Sequence, residues 1–275
     1  MNVAKRIRDE PRTWRRWTII AVGCLIFAAA ASCTALSPEG TLLDSGASAM
    51  DKAGTKTLFE GFSDAKSLHS GTWEWLGEDP ASWSIEQGGT NSYLRLAMTR
   101  DSRLACDANT KQNLLLLRKP IPDGTDFTAE TMVIFDPQRD FQGACLLAYQ
   151  DDDNFVSVDR GYCDPAWGCI GDAVYFDQEA NGCCFCIPGY RTAVPLFDAA
   201  GTDGVEVPVW LRITREGTAY SAYFSLNGRD WNLIGAHTSP NLTKVRIGIT
   251  ASNSGTGNLG PVADFDYLSL IQYRR

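Results

Sequence analysis

Histidine is scarce in this chain, with His69 and His237 the two among 275 residues. Neither stands beside a serine or cysteine in a recognisable nucleophile setting, so triad chemistry has no support. Helical periodicity is nearly absent as well, which sets aside the helical fold classes. The charge-free apolar run from Thr18 to Ala31 is shorter than the ~20 residues that a crossing helix needs, which favours cleavage over anchoring. Basic surplus is missing too. Residues 1–17 hold Lys5, Arg6, Arg8, Arg12, Arg15 and Arg16 against Asp9 and Glu10, so they add +4 to a formal net charge of -8 and leave -12 on the remainder. Acidity of that size repels nucleic acid and anionic lipid surfaces, so no nucleic-acid partner is expected.

The basic opening followed by a short apolar run reads as a secretory signal over residues 1–32. Ala30-Ala31-Ser32 ahead of Cys33 resembles a bacterial lipobox, with Ala30 where leucine is usual, and it makes Cys33 the lipidation candidate. Ordinary cleavage nearby, or an uncleaved helix as anchor, are the alternatives. Arg15-Arg16 is followed by Trp17, Thr18 and Ile19, a poor fit to a twin-arginine signal. Residues 33–56 are small and polar without sustained period, so a flexible tether is expected there. Residues 57–275 then form one domain, exported and lipid-anchored at the cell surface or on the outer face of the cytoplasmic membrane. In a bacterium the sequon Asn241-Leu242-Thr243 is idle.

What is abundant is alternation of period two, punctuated by Gly, Pro, Asn and Asp. "SYLRLAM" sets Leu94, Leu96 and Met98 opposite Tyr93, Arg95 and Ala97, and "NLLLLRK" reads as a more buried strand. "DFTAETMVIFD" sets Phe127, Ala129, Thr131, Val133 and Phe135 opposite Thr128, Glu130, Met132 and Ile134. "GACLLAYQ", the turn "DDDN" and "FVSVDR" make a hairpin. "AYFSLNGRDWNLIGAH" makes another, with Asn227-Gly228 as a tight positive-φ turn and Trp231 starting the return strand, where it packs on the sandwich edge or, as the alternative, stands exposed as a ligand platform. Many short strands so spaced predict two packed antiparallel sheets.

Four blocks in order, "FEGFSDAKSLHSGTWEWLGEDPASWSI", "DFTAETMVIFDP" with "GACLLAYQDDDNFVSVDRG", "WLRITREGTAYSAYFSLNGRDWNLIG" and "VRIGITAS" with "ADFDYLSL", carry a family resemblance over most of residues 57–273. They resemble a concanavalin A-like jelly roll, in particular the domain-of-unknown-function 1349 family and the C-terminal sandwich of family 43 glycoside hydrolases. The resemblance implies an all-β, lectin-like sandwich often associated with carbohydrate, with Trp73 and Trp83 as structural, buried tryptophans. Fold alone does not supply function. The superfamily's glucanases carry an E-x-D-x-x-E run, and none occurs here. No strand offers an obvious carboxyl pair for glycoside hydrolysis.

The chain departs from that pattern in a Cys-rich insertion at about 161–190. Beyond Cys33 the cysteines are Cys106, Cys145, Cys163, Cys169, Cys183, Cys184 and Cys186, an odd number. Export favours disulfides, with Cys163 bridged to Cys169 and one or two of Cys183, Cys184 and Cys186 bridged back to them. A thiolate zinc site is the sharper alternative, but the paired C-x2-C knuckles are missing. Cys145, in an apolar strand, reads as a buried thiol.

Asp151, Asp152 and Asp153 read as solvated hairpin residues, with cation binding as the alternative. Glu60 with Asp264 or Asp266 is a calcium candidate, because jelly rolls of this type often bring these strands together and hard oxygen donors suit Ca²⁺; the alternative is that both aspartates are ordinary outward strand residues. For a sugar ligand the candidates are Trp75, Tyr162 and Trp167 as stacking surfaces, with Asp159 and Arg160 as hydrogen-bonding partners. The expected function is a non-catalytic carbohydrate-binding module. Set against it are a glycan-active hydrolase or lyase with unrecognised acids, and a structural or protein-binding surface lipoprotein.

Overall fold

A computed structural model describes residues 49–50, 55–89, 91–99, 102–105, 108–137, 139–196, 207–253 and 260–273. The expected leader, Cys33 and most of the tether lie outside the described residues. In chain order the first strands are β1 (Ala49–Met50), β2 (Lys56–Glu60), β3 (Trp73–Leu76), β4 (Trp83–Gly88), β5 (Asn91–Ala97), β6 (Leu104–Ala105), β7 (Ala108–Asn109), β8 (Leu114–Leu117) and β9 (Asp126–Ile134). They are followed by β10 (Gln142–Asp151), β11 (Asn154–Cys163), β12 (Gly171–Glu179), β13 (Arg191–Pro195), β14 (Pro208–Glu216), β15 (Ala219–Ser225), β16 (Asn232–Thr238), β17 (Arg246–Asn253) and β18 (Val262–Tyr273). β1 falls inside the expected tether and pairs with β2, so part of that stretch belongs to the sheet.

Nine strands make one sheet in the order β1-β2-β18-β9-β14-β15-β16, with β5 also on β18 and β4 on β5. Seven make the other in the order β13-β12-β11-β10-β17-β8-β3, and β6 with β7 forms a separate ribbon. The expected two-layer antiparallel sandwich is therefore what the chain adopts.

Alternation sets the layer between the sheets. Phe127, Ala129, Val133 and Phe135 meet Ala144, Leu146 and Ala148, all fully buried, together with Leu94, Leu96 and Met98. The apolar residues of β18 change phase midway. Ala263 and Phe265 are buried, and so are Leu268 and Leu270, one residue out of step. A bulge between Phe265 and Tyr267 absorbs the extra residue, and Thr131 Oγ1 ties it down by donating to the Tyr267 carbonyl at 2.5 Å.

The hairpin from β15 to β16 differs from the expected tight turn. Its loop runs from Leu226 to Trp231, and of Asn227 and Gly228 only Gly228 adopts positive φ (69°). Asn227 instead caps the loop through its side chain, which accepts from the backbone N–H groups of Arg229 and Asp230, both at 2.9 Å. Trp231 lies just before β16 and packs on the sheet surface, where the Arg212 guanidinium sits 3.5 Å from its ring centroid.

Candidate functional site

The outward face of the seven-stranded sheet carries more than solvated side chains. Cys145, Leu147 and Tyr149 of β10 alternate with the inward Ala144, Leu146 and Ala148, yet they too are buried, with Phe155 of β11 and Leu114 and Leu116 of β8. Ser102–Ala105 and Ala108–Asn113 form a strap that runs alongside, with Leu104 packed on this cluster. Asn253 N–H donates to the Ser102 carbonyl at 2.7 Å, and Thr250 Oγ1 donates to the Gln112 carbonyl at 3.3 Å. Lys111 pairs with Asp152 at the far end.

Between the strap and the Cys-rich insertion the same face opens into a cleft of about 120 Å³. Pockets for drug-sized ligands start at about 300 Å³, so this one suits a single ring or a chain end. Cys145, Ser157, Asp159, Tyr175, Asp177 and Ser252 form its floor, with Arg103 and Leu104 on the strap side and Cys163, Cys184 and Arg191 on the other. Strand register brings the floor together: Asp159 lies opposite Tyr175, Ser157 opposite Asp177, and Asp177 opposite Arg191. Asp159 and Asp177 are thus diagonal neighbours on one face, with Cα atoms about 7–8 Å apart by sheet geometry.

Two carboxyl groups, side by side, meet opposite treatment. Arg191 grips both oxygens of Asp177, donating from Nε to Oδ1 at 2.8 Å and from Nη2 to Oδ2 at 2.5 Å. The same guanidinium lies over the rings of Tyr175 and Tyr190, and its Nη1 approaches Cys169 Sγ at 3.2 Å. The Asp159 carboxyl has no hydrogen-bond partner among the described residues. Burial, then the neighbouring charge of Asp177, push its carboxyl well above the usual range, against the opposing pull of Arg191 and Arg160. Burial also pushes the Tyr175 hydroxyl up to about 12, and its O–H donates to the Gly171 carbonyl. Cys145 is a free thiol whose burial raises it well above its ordinary value, so it is no thiolate nucleophile.

Exposed rings stand at the mouth of the cleft. Phe141, which with Tyr162 lines the cleft, holds a left-handed backbone (φ 58°) and packs against Trp167 with centroids 6.2 Å apart. Left-handed geometry is costly for a bulky side chain and persists only where the surroundings enforce it. Here Phe141 N–H donates to the Tyr162 carbonyl at 2.8 Å and Asp164 N–H to Asp140 Oδ1 at 2.7 Å. Trp167 remains 70% exposed, on a short 3-10 turn over Pro165–Trp167. On the insertion side Phe185, 77% exposed, meets Tyr190 edge-on. Disulfides hold both rims: Cys163 is bridged to Cys169 and Cys183 to Cys186. Cys184 is disulfide-bonded as well.

Of the residues singled out in the sequence, Asp159 and Tyr162 line the cleft and Trp167 stands at its mouth, but Arg160 and Trp75 do not join them. Arg160 follows Asp159 in an extended strand and so faces inward, where it is 1% exposed and bonded to both oxygens of Asp172. Trp75 is partly buried against the main core and stacks on Trp83 at 5.0 Å, away from the cleft. Trp73 is buried as expected, whereas Trp83 is partly exposed. Cys183 closes on Cys186, and not back on Cys163 or Cys169, because the turns between β12 and β13 bring the two Cα atoms to 5.5 Å.

Each calcium candidate has protein partners. Glu60 is 1% exposed and accepts from Phe62 N–H and Trp73 Nε1, both at 3.0 Å. Asp264 accepts from Arg95 Nε and Nη2, and Asp266 accepts from Asn91 Nδ2. Among the described residues no three His, Cys, Asp or Glu side chains gather as a metal site would require. Neither histidine is in the cleft: His69 lies near Trp83, and His237 is stacked on Phe176 with burial lowering its pKa.

No protein-family model matches the chain, and no curated protein matches it in sequence. Solved structures do match. The GH43 protein BlXynB of Bacillus licheniformis gives a TM-score of 0.59 at 23% identity, covering 78% of this chain and 39% of that one. A xylan beta-1,4-xylosidase from Bacillus halodurans C-125 gives 0.56 at 18%, covering 77% and 38%. A functionally unknown protein from Saccharomyces cerevisiae gives 0.51 at 16%, covering 72% of this chain and 95% of that one. The chain therefore spans about two fifths of the two Bacillus proteins, and what it matches there is the C-terminal β-sandwich. At these identities the likeness is one of fold, and the fold is the concanavalin A-like sandwich of two antiparallel sheets.

Proposed function

We propose that this is an exported domain, anchored through a lipid on Cys33, that binds carbohydrate without cleaving it. The cleft carries this reading. A polar floor of Asp159, Ser157, Asp177 and Arg191 lies beneath the exposed rings of Phe141 and Trp167, the combination that takes up a pyranose by its hydroxyls and by its apolar face. The likeness to sandwiches attached to GH43 hydrolases and a xylosidase is consistent with a carbohydrate-related role. Bridged cysteines fit an oxidising compartment outside the cytoplasm. Against hydrolysis, Arg191 occupies both oxygens of Asp177, which leaves it poorly placed as a base or nucleophile opposite Asp159.

A glycan array followed by titration calorimetry tests the reading. Replacing Phe141 or Trp167 by alanine is expected to weaken binding about tenfold each, roughly the worth of one stacked ring, with the unfolding temperature unchanged. Release of reducing sugar from any bound glycan, abolished by Asp159→Asn, would replace this reading with the hydrolase. Failure to bind any glycan would leave a protein-binding surface. Cys33→Ser is expected to move the protein from the membrane fraction to the medium.

A further inference from the structure

We infer that Asp159 is the hydrogen-bond donor of the cleft, presenting a carboxyl O–H to a ring or hydroxyl oxygen of the bound sugar and so deciding which ligand atoms the floor accepts. This deepens the carbohydrate reading and rests on it.

The space around the carboxyl is the first ground. Gly143 and Gly161 face each other across β10 and β11, on the same side as Asp159. Neither has positive φ, but a Cβ on Gly161 would also stand 2.9 Å from the Gln142 carbonyl oxygen, so close backbone approach calls for glycine there. What they leave is room: a Cβ on Gly161 would stand 2.6 Å from Asp159 Oδ2, and one on Gly143 would stand 3.1 Å from that oxygen and 3.2 Å from Ser252 Oγ. Asp159 Oδ2 thus lies over two glycines, where no neighbouring side chain crowds it and no described residue hydrogen-bonds it.

The second ground is that neighbouring donors are committed elsewhere. Tyr175, directly across on β12, turns its hydroxyl to the Gly171 carbonyl, and Arg191 on β13 is spent on Asp177. The titratable and charged groups about Asp159 are Cys145 on β10, Tyr162 on its own strand, Tyr175, Asp177 and Glu179 on β12, Arg191 on β13 and Arg103 on the strap, with Arg160 behind it. Burial and the charge of Asp177 outweigh the cations, so the carboxyl keeps its proton above the usual range. A protonated carboxyl has an O–H to give, whereas a carboxylate only accepts. Binding is therefore expected in the neutral form and is lost as pH rises through the raised value. Tyr175 and Cys145 are shifted upward, away from that window.

Calorimetry from pH 5 to pH 9, with the best oligosaccharide of the array, tests this on the intact domain. Wild-type affinity is expected to fall at least tenfold toward pH 9. Asp159→Asn keeps an N–H donor and cannot ionise, so it is expected to bind with a flat profile, while Asp159→Ala binds at least tenfold more weakly throughout. A flat wild-type profile, an Asn variant that follows the wild-type slope, or an Ala variant equal to Asn would overturn the donor role while leaving carbohydrate binding intact. No glycan binding at any pH overturns both. Carbon-13 titration of the Asp159 carboxyl in the free protein gives a reading independent of any sugar. An ordinary carboxylate midpoint, near ~3.9, sinks the inference.

Discussion

Asp159 carries a second, separable consequence. Its carboxyl is raised in the folded state relative to the unfolded chain, so its contribution to stability is fully present below the unfolded value and is lost as pH rises through the folded one. Asp159→Asn removes that loss. The variant is expected to melt above wild type at pH 8 and to converge with it toward pH 4, which differential scanning calorimetry at the two pH values reads directly. Asp159 was legible in the sequence as a candidate sugar contact, but Arg160, named beside it, lies on the opposite side of the sheet, because consecutive strand residues face opposite sides. Asp177, Arg191 and Phe141 were missed altogether. Asp177 sits in "VYFDQE", where nothing local marks it, and its ion pair exists only because β12 and β13 pair in a register that sets Asp177 opposite Arg191. One faint signal was present, namely Phe141 between Asp140 and Gln142 just before an apolar strand.

The insertion shows what short cross-links do for a segment with little core of its own. Cys163, Cys169 and Arg191 hold one rim while Cys183–Cys186 closes the other, and the apolar cluster beneath them is small: Cys163, Ala173 and Tyr175. Replacing Cys163 and Cys169 together by alanine removes closure of a short loop, worth about 2 kcal/mol on chain-entropy grounds. A fall of several degrees in melting temperature is expected, with weaker glycan binding although neither sulfur need touch the sugar. Calorimetry with and without reductant checks the first effect and array binding the second. Cysteine spacing suggested the Cys163–Cys169 bridge. It did not reveal that Cys183 closes locally, since pairing among adjacent cysteines depends on where a hairpin turns.

The sandwich as a unit rests on two buried layers, and the second is unusual. Leu146 faces the main core, while Leu147 faces outward, where a solvated surface would be expected, and both are fully buried. Leu146→Ala is expected to cost about 2–5 kcal/mol as a cavity between the sheets. Leu147→Ala is expected to cost about the same because of the cluster beside the strap, whereas a bare jelly-roll face would make it nearly neutral. Urea unfolding of the two variants decides between these outcomes, with the slope expected to stay constant.

Strand positions and inward faces were readable from the chain because alternation is a local property: each apolar residue two places from the next declares its side. The cleft was not. Asp159, Asp177, Arg191 and Ser252 are far apart in the chain and meet only through antiparallel pairing of β11, β12, β13, β10 and β17. Their chemistry arises from that meeting, since burial and a neighbouring charge, neither visible along a strand, are what keep a proton on one aspartate while an arginine holds the other.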